Sequence, residues 1–413
     1  MITAPRGTLD IFGINALKMA EFENRAKAIF RKHNFQEIRT PTFEDLLLFT
    51  RSIGQETDIV SKEMYVFADR KGKNFALRPE GTAPFARAYI QHRLDLIDPI
   101  GKYFYSGQMF RYERPQAGRY REFAQMGAEY VGNGAPSADA QMIIMACDIL
   151  SSIGLKNIKV HLNSLGCAAC RAKFKEALIQ YFLSIEDLCS NCKIRISKNP
   201  LRVLDCKIDA DKFLNAPRIT DFLCDDCAQN FSQVQDFLKS AGYDFIVDHK
   251  LVRGLDYYTR VVFELRSQDV GSQDALAAGG RYDNLIKELG GQNLPAVGFA
   301  LGVSRVLLAA QNANVFNDIE RPKNVYIGFA DEALKTQAFS YAMKISKEGL
   351  KTIANFNVLM PLTDKSLTAQ LKFANKAQAD FAIIFAQTEY ESGKLIFKDM
   401  AKKTQENRSI DEI

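Results

Sequence analysis

Between Asn15 and Lys32 the apolar residues Met19, Phe22, Ala26, Ile29 and Phe30 recur at three- and four-residue intervals. That spacing gathers them on one helix face, and Asn15 is a suitable N-cap. Glu37 to Phe43 is short and strand-like. Its Pro41 is expected at a strand end or sheet edge, because proline cannot donate to a ladder. Lys102–Glu113 and Glu122–Asn133 read as the strands of an antiparallel hairpin with a long polar loop, Arg114–Arg121. Side chains alternate along a strand. Arg111, Glu113, Phe123, Gln125 and Glu129 therefore share one face, and Phe110, Tyr112, Ala124 and Met126 the other. A sheet with one solvated face gives the same alternation. Ile158–Asn163 reads as a further short strand.

From Cys167 to Gly242 the pattern turns helical: Phe174, Leu178 and Tyr181 suit one helix face, Val234, Phe237 and Leu238 another. This region reads as a small inserted domain. Strand character returns with Val261, Val262, Phe263 and Leu265. The glycine-containing stretch Ala277–Asp283 follows, and Ala296–Ala300 then leads through Gly302 into a helix, Ser304–Ala310. Beyond Pro322, strands at Val325–Phe329, Thr352–Val358, Phe381–Ala386 and Lys394–Phe397 alternate with helices ending at Gly349 and Ala377. Such alternation predicts a parallel-type α/β module.

The chain has 413 residues, which suggests two or three domains at roughly 150 residues each. With 47% hydrophobic and 25% charged residues it is a globular chain rather than a disordered one. The net charge of +5 permits an anionic partner without requiring one. No run reaches the ~18 apolar residues of a membrane span, since Leu294–Phe316 is broken by Arg305. The opening Met1-Ile-Thr-Ala-Pro-Arg-Gly7 lacks a basic-then-apolar signal pattern. The expectation is a cytoplasmic protein with no membrane partner.

Seven of the eight cysteines lie between 167 and 242, six of them in three Cys-x-x-Cys pairs. A reducing compartment argues against disulfides. Cys167/Cys170 and Cys189/Cys192 have 18 residues between them, a zinc-ribbon spacing. Cys224/Cys227 is an equally good second pair for Cys167/Cys170. Three pairs competing for one tetrahedral ion leave a surplus pair, and free thiols on helices are the other reading.

Four short segments carry candidate chemistry. Arg111–Arg121 holds four arginines in eleven residues, and the guanidinium fork suits phosphate oxygens. A solvated basic loop is the plainer alternative. Leu77-Arg-Pro-Glu-Gly-Thr82 presents a carboxylate and a hydroxyl that could hold an ammonium group, or it is an ordinary turn with Thr82 as a helix N-cap. Leu251-Val-Arg-Gly-Leu-Asp-Tyr-Tyr258 has the look of aromatic core, except that arginine is rarely buried unpaired. Gly298-Phe-Ala-Leu-Gly-Val-Ser-Arg305 puts two glycines at a strand-to-helix junction, where a backbone can approach a ligand. Neither a Walker loop nor a Rossmann fingerprint is evident.

Taken in this order, these segments, with Phe110-Arg-Tyr-Glu-Arg-Pro-Gln116, resemble the signatures of class II aminoacyl-tRNA synthetases, and closely those of the bacterial-type histidyl-tRNA synthetase family. The resemblance spans essentially the whole chain, and the segment holding Arg253 separates histidyl enzymes from the rest of the class. It implies an α+β fold, with an antiparallel-sheet catalytic core at 1–166 and 243–321, a Cys-containing helical insertion at 167–242 and an α/β anticodon-binding domain at 322–413. Thr40-Pro-Thr-Phe-Glu44 resembles the motif that forms a homodimer interface.

The implied activity is ATP-dependent attachment of L-histidine to tRNA(His) through a histidyl-adenylate, releasing AMP and pyrophosphate. Mg2+ is expected with ATP; no tightly bound organic cofactor is expected, and no metal ligand is assigned. By resemblance, Arg111 and Arg253 are catalytic and face the α-phosphate from two sides, Arg253 doing work that a metal ion does in related enzymes. Arg119 and Arg305 would hold the outer phosphates, Phe123 would stack on adenine, and Glu113 would read its amino group. Glu80, Thr82 and Gln125 would hold the α-ammonium group. Glu129 and Tyr258 would read the imidazole nitrogens beside Tyr257, and Arg114 and Gln116 would touch the tRNA acceptor end. An imidazole needs one acceptor and one further hydrogen-bond partner, which a Glu and a Tyr can supply.

Two rivals are weaker. A catalytically silent paralogue of the same fold would lack the C-terminal module and lose motif residues. A plain RNA-binding protein would need basic and aromatic clustering, and residues 322–413 hold 13 Lys/Arg against 11 Asp/Glu.

Overall fold

The structure is a computed structural model that describes residues 1–54, 57, 59–270, 274–361 and 365–413. It divides into two compact units, Met1–Ile319 and Glu320–Ile413. The first is built on an eight-stranded sheet. Its strand order is Gln36–Glu37, Lys102–Phe110, Glu122–Val131, Ala296–Gly302, Ala275–Arg281, Thr259–Ser267, Ile158–Ser164 and Phe245–Val247. The six inner strands pair antiparallel, and a two- or three-residue strand joins each edge in parallel.

One sheet face is buried under the helices Ile14–Lys32, Pro136–Ser151, Asp225–Ser240 and Val303–Asn312. The even positions of Glu122–Val131, among them Met126 and Ala128, point into this core, and Phe30 stacks on Phe104 at 4.9 Å. An ion pair lies beneath these helices: Arg281 on a central strand holds Asp139 of the covering helix at 2.5 Å, both side chains essentially inaccessible. The opposite sheet face is left to the candidate site.

The insertion runs through helices Ala168–Leu183 and Ser190–Lys198 and short 3-10 turns before Asp225–Ser240. Its apolar residues Phe174, Leu178, Phe182 and Phe213 are continuous with Tyr257, Tyr258 and Val262, which lie in and just before strand Thr259–Ser267 of the large sheet. Cys167 and Cys170 sit with Cys224 and Cys227, whereas Cys189 and Cys192 sit with Cys206 and Asp209. The pairing of Cys167/Cys170 with Cys189/Cys192 suggested by their spacing does not occur.

Several element boundaries differ from the sequence reading. The first helix begins at Ile14 behind Gly13, so Asn15 lies inside the first turn rather than at the cap. The segment around Pro41 is not one strand: Gln36–Glu37 joins the large sheet, Phe43–Asp45 joins a separate three-stranded sheet, and Pro41 connects them. The first hairpin strand stops at Phe110, so Arg111 and Glu113 stand in the loop rather than in the ladder. Ala275–Arg281 is a full strand. Its Gly279 is required by close approach, because a Cβ there would lie 2.2 Å from the Gly298 carbonyl oxygen.

The second unit is a five-stranded sheet in the order Phe356–Leu359, Lys323–Phe329, Phe381–Phe385, Lys394–Asp399, Thr404–Ser409. The first two pairings are parallel and the last two antiparallel, so the sheet is mixed rather than parallel throughout. Residues of the helix Lys335–Glu348 pack with Val325, Ile327 and Ile383, and residues of Leu367–Lys376 with Tyr326, Ala382 and Ile384 on the other side. Among the described residues, no helix is long and apolar enough to cross a membrane.

Candidate active site

A cavity of about 320 Å³ opens on the uncovered face of the large sheet. Its wall takes Glu80 and Thr82 from the turn into helix Thr82–Gln91, and Arg111, Glu113 and Arg119 from the hairpin loop. Phe123 and Gln125 come from the second hairpin strand, Arg253, Tyr257 and Tyr258 from the segment before strand Thr259–Ser267, and Arg305 from the start of helix Val303–Asn312. Eleven of the fourteen site residues expected from the sequence thus meet in one place.

The four arginines are held by local partners. Arg111 Nε donates to the Pro79 carbonyl at 2.9 Å, and its guanidinium carbon lies 5.4 Å from the Phe123 ring centre. Arg119 Nε is 3.2 Å from Glu113 Oε2. Arg305 Nη1 donates to the Ala275 carbonyl at 2.9 Å. Burial, then repulsion from Arg119, lowers its pKa. Arg253 is ion-paired with Glu264. Burial is the largest influence and works against its charge, but Glu264, Tyr258 and Tyr257 together outweigh it and raise the pKa. Three polar atoms of the wall, Tyr105 Oη, Gln125 Oε1 and Arg253 Nε, are buried with no hydrogen-bond partner among the described residues. Leaving such atoms unsatisfied costs free energy that a ligand can recover.

The ammonium-like corner is organised by a helix start. Glu80 accepts the backbone N–H of Thr82 at 2.7 Å and of Ala83 at 2.8 Å. Glu80 therefore caps the first turn, a role the sequence suggested for Thr82. Burial raises the Glu80 pKa while those N–H groups oppose it. Thr82 is left free to donate its hydroxyl to Glu129 Oε1 at 2.7 Å.

Glu129 is fully buried one layer behind the cavity wall. Its second oxygen accepts from the Tyr282 hydroxyl at 2.5 Å. Burial pushes its pKa up to about 8, against the pull of those hydroxyls. Arg114 and Gln116 also stand outside the wall. Gln116 opens a tight turn closed by mutual backbone hydrogen bonds with Arg119, and Arg114 precedes it in the loop.

Tyr105, Glu264 and Tyr282 were not singled out from the sequence. Tyr105 shares the odd parity of Gln125 on the paired strand, and Glu264 breaks the apolar run between Phe263 and Leu265. Strand alternation could have found both. Tyr282 carries no such signal.

An antiparallel sheet that presents a ring of arginines beside a small polar and aromatic recess is the catalytic core of a class II aminoacyl-tRNA synthetase. A sequence model of the histidyl-tRNA synthetase family matches residues 7–177 and 206–306, and the chain belongs to that family. It is 56% identical over 409 residues to the histidine–tRNA ligase of Endomicrobium trichonymphae, covering 99% of each chain. It is 42% identical to that of Desulforamulus reducens, over 100% of this chain and 98% of the other. The crystal structure of apo histidyl-tRNA synthetase from S. aureus superposes with a TM-score of 0.81 at 34% identity, covering 100% of this chain and 98% of that one.

Proposed function

We propose that this cavity forms histidyl-adenylate and that the chain joins L-histidine to tRNA(His) at the expense of ATP. The observation that carries the reading is that Arg111 and Arg253, far apart in sequence, line one cavity with Gln125 and Tyr258. In the first step a histidine carboxylate oxygen bonds to the α-phosphorus of ATP, the bond to the bridging oxygen breaks, and pyrophosphate leaves. In the second, a terminal ribose hydroxyl of the tRNA attacks the adenylate carbonyl and AMP departs. Such transfers offer the protein little covalent work, so catalysis rests on alignment and on positive charge at the phosphoryl oxygens. No nucleophilic side chain is required.

Arg111 and Arg253 bracket the α-phosphate, and Arg119 and Arg305 take the outer phosphates, which arrive with Mg2+ as part of the substrate. Phe123 and Glu113 hold the adenine. The recess of Glu80, Thr82 and Gln125 receives the α-ammonium group, and Tyr257 and Tyr258 flank the imidazole. Glu129 serves that end from behind, fixing the hydroxyls of Thr82 and Tyr282. Amino acids that cannot pair these buried groups are rejected. Arg114 and Gln116, on the loop outside the cavity, meet the acceptor end of the tRNA, and residues 322–413 read the anticodon.

The working form we propose is a cytoplasmic homodimer joined around Thr40–Glu44. Supporting it, Phe43 is 50% and Phe67 42% exposed, and the two rings meet edge to face at 5.8 Å on the small sheet. Pyrophosphate exchange into ATP, run with each of the twenty amino acids, tests the activity. Exchange with histidine alone is expected; exchange with another amino acid in preference to histidine, or with none, refutes the reading.

A further inference from the structure

The seven cysteines of the insertion sort into two groups of four ligands, completed by one aspartate. The first is Cys167, Cys170, Cys224 and Cys227; the second is Cys189, Cys192, Cys206 and Asp209. Within each group every ligand atom lies within 4.8 Å of every other. All eight cysteines are free thiols, and the eighth, Cys147, is buried apart from both groups. We propose that the insertion binds two structural zinc ions, one in an all-cysteine site and one in a site of three cysteines and Asp209.

Sequence spacing supports the second site as strongly as the first. Cys206-Lys-Ile-Asp209 repeats the three-residue step of the Cys-x-x-Cys pairs with a carboxylate in the last place. That makes four ligand pairs of one spacing, two for each ion, and no surplus. Cys167, Cys189 and Cys224 each stand at the N-cap of a helix without capping it through the side chain, so three positive helix ends favour the thiolate form that a metal takes.

The distances are those of a tetrahedral metal centre rather than of disulfides. A zinc–sulfur bond of about 2.3 Å places tetrahedral sulfurs about 3.8 Å apart, whereas a disulfide brings them to about 2.05 Å. Cys167 and Cys170 have sulfurs 3.5 Å apart, and Cys189 and Cys206 have theirs 3.8 Å apart. Asp209 Oδ2 is 3.9 Å from the Cys206 sulfur. The two groups also share a supporting hydrogen bond. In the first, the Cys224 N–H donates to the Cys170 sulfur at 3.1 Å; in the second, the Cys189 N–H donates to Asp209 Oδ2 at 2.9 Å. Such outer contacts orient metal ligands. Cys170, Cys192, Cys206, Cys227 and Asp209 are each at most 7% exposed. The Lys212 ammonium lies 3.3 Å from Asp209 Oδ1, which leaves Oδ2 as the oxygen turned toward the sulfurs.

The test uses the full chain, purified without chelator or refilled anaerobically with zinc or cobalt(II), and counts metal by native mass spectrometry and elemental analysis. Two zinc ions per chain are expected. Cys224→Ala and Cys206→Ala should each leave one ion, and the double variant none. The cobalt form of the unaltered protein should show tetrahedral bands with thiolate charge transfer, which needs no variant to fold. Asp209→Cys should keep two ions and strengthen that charge transfer. No retained metal and no thiolate–cobalt band overturns both sites. A single ion, lost in Cys224→Ala but kept in Cys206→Ala, overturns the second. Two ions in Asp209→Cys with unchanged charge transfer remove Asp209 from the ligand set.

Discussion

Glu129 is held by two hydroxyls inside the protein, and burial shifts it toward its protonated form. Its pKa is raised on folding, so its contribution to stability is complete below the ordinary carboxylate range and is lost as pH rises through about 8. The melting temperature should therefore fall from the ordinary carboxylate range up to about pH 8 and level off above it, and Glu129→Gln should flatten that fall. An unchanged slope in the variant would count against a protonated Glu129. Arg253 makes the sharper functional case. Arg253→Gln keeps a hydrogen-bond donor for Glu264 but removes the charge, and it should cut histidine-dependent exchange by roughly a hundredfold or more with the melting temperature little changed. Near-normal exchange would end the proposed role. Arg253 was legible in the sequence because an arginine among apolar and aromatic neighbours is anomalous. Tyr282 was not, because a tyrosine after a glycine-rich strand looks like any core aromatic. The depth of Glu129 was equally hidden: parity sets the face of a strand, not which layer stands in front of it.

Elements were read well wherever one face was apolar and one polar. The hairpin and the helix Ile14–Lys32 announced themselves by period, and the C-terminal strands by alternation with helices; the core helix Pro136–Ser151 was not read, because buried residues run almost all round it and leave no polar face to mark a period. Thr404–Ser409 escaped because it is a polar, exposed edge strand with no apolar face. Ala275–Arg281 is made of small residues, and it is small because neighbouring backbones press on it. The same crowding governs Gly298, where a Cβ would lie 1.7 Å from Glu129 Oε2. Gly298→Ala should therefore weaken histidine binding at least tenfold while ATP binding changes less, as read by titration calorimetry with each ligand. Equal loss of both would point to general distortion of the sheet. The Arg281–Asp139 pair ties strand to helix with no solvent to share its charge. Asp139→Ala leaves a buried guanidinium short of its partner and should cost about 3–5 kcal/mol in urea unfolding. A loss below 1 kcal/mol would mean that Asp283 and the nearby carbonyls suffice.

At the scale of the whole molecule, the division at Ile319 and Glu320 separates the proposed adenylate site from the proposed anticodon module. Residues 1–319 alone should keep histidine-dependent pyrophosphate exchange and lose most tRNA charging. Loss of exchange in a folded fragment would show that the second unit supports the first. Charge arithmetic gave little guidance here, since a net charge of +5 says nothing about where the arginines gather. Their gathering has a consequence for which anions the pocket admits. Glu113 and Glu264 already engage Arg119 and Arg253, and backbone carbonyls engage Arg111 and Arg305. A pocket whose cations are so occupied should be a poor trap for inorganic phosphate or sulfate. A nucleotide succeeds by bringing a base and a sugar that add contacts to the exchange. Millimolar phosphate should scarcely inhibit the native enzyme, and Glu264→Gln should make it an effective competitor of ATP.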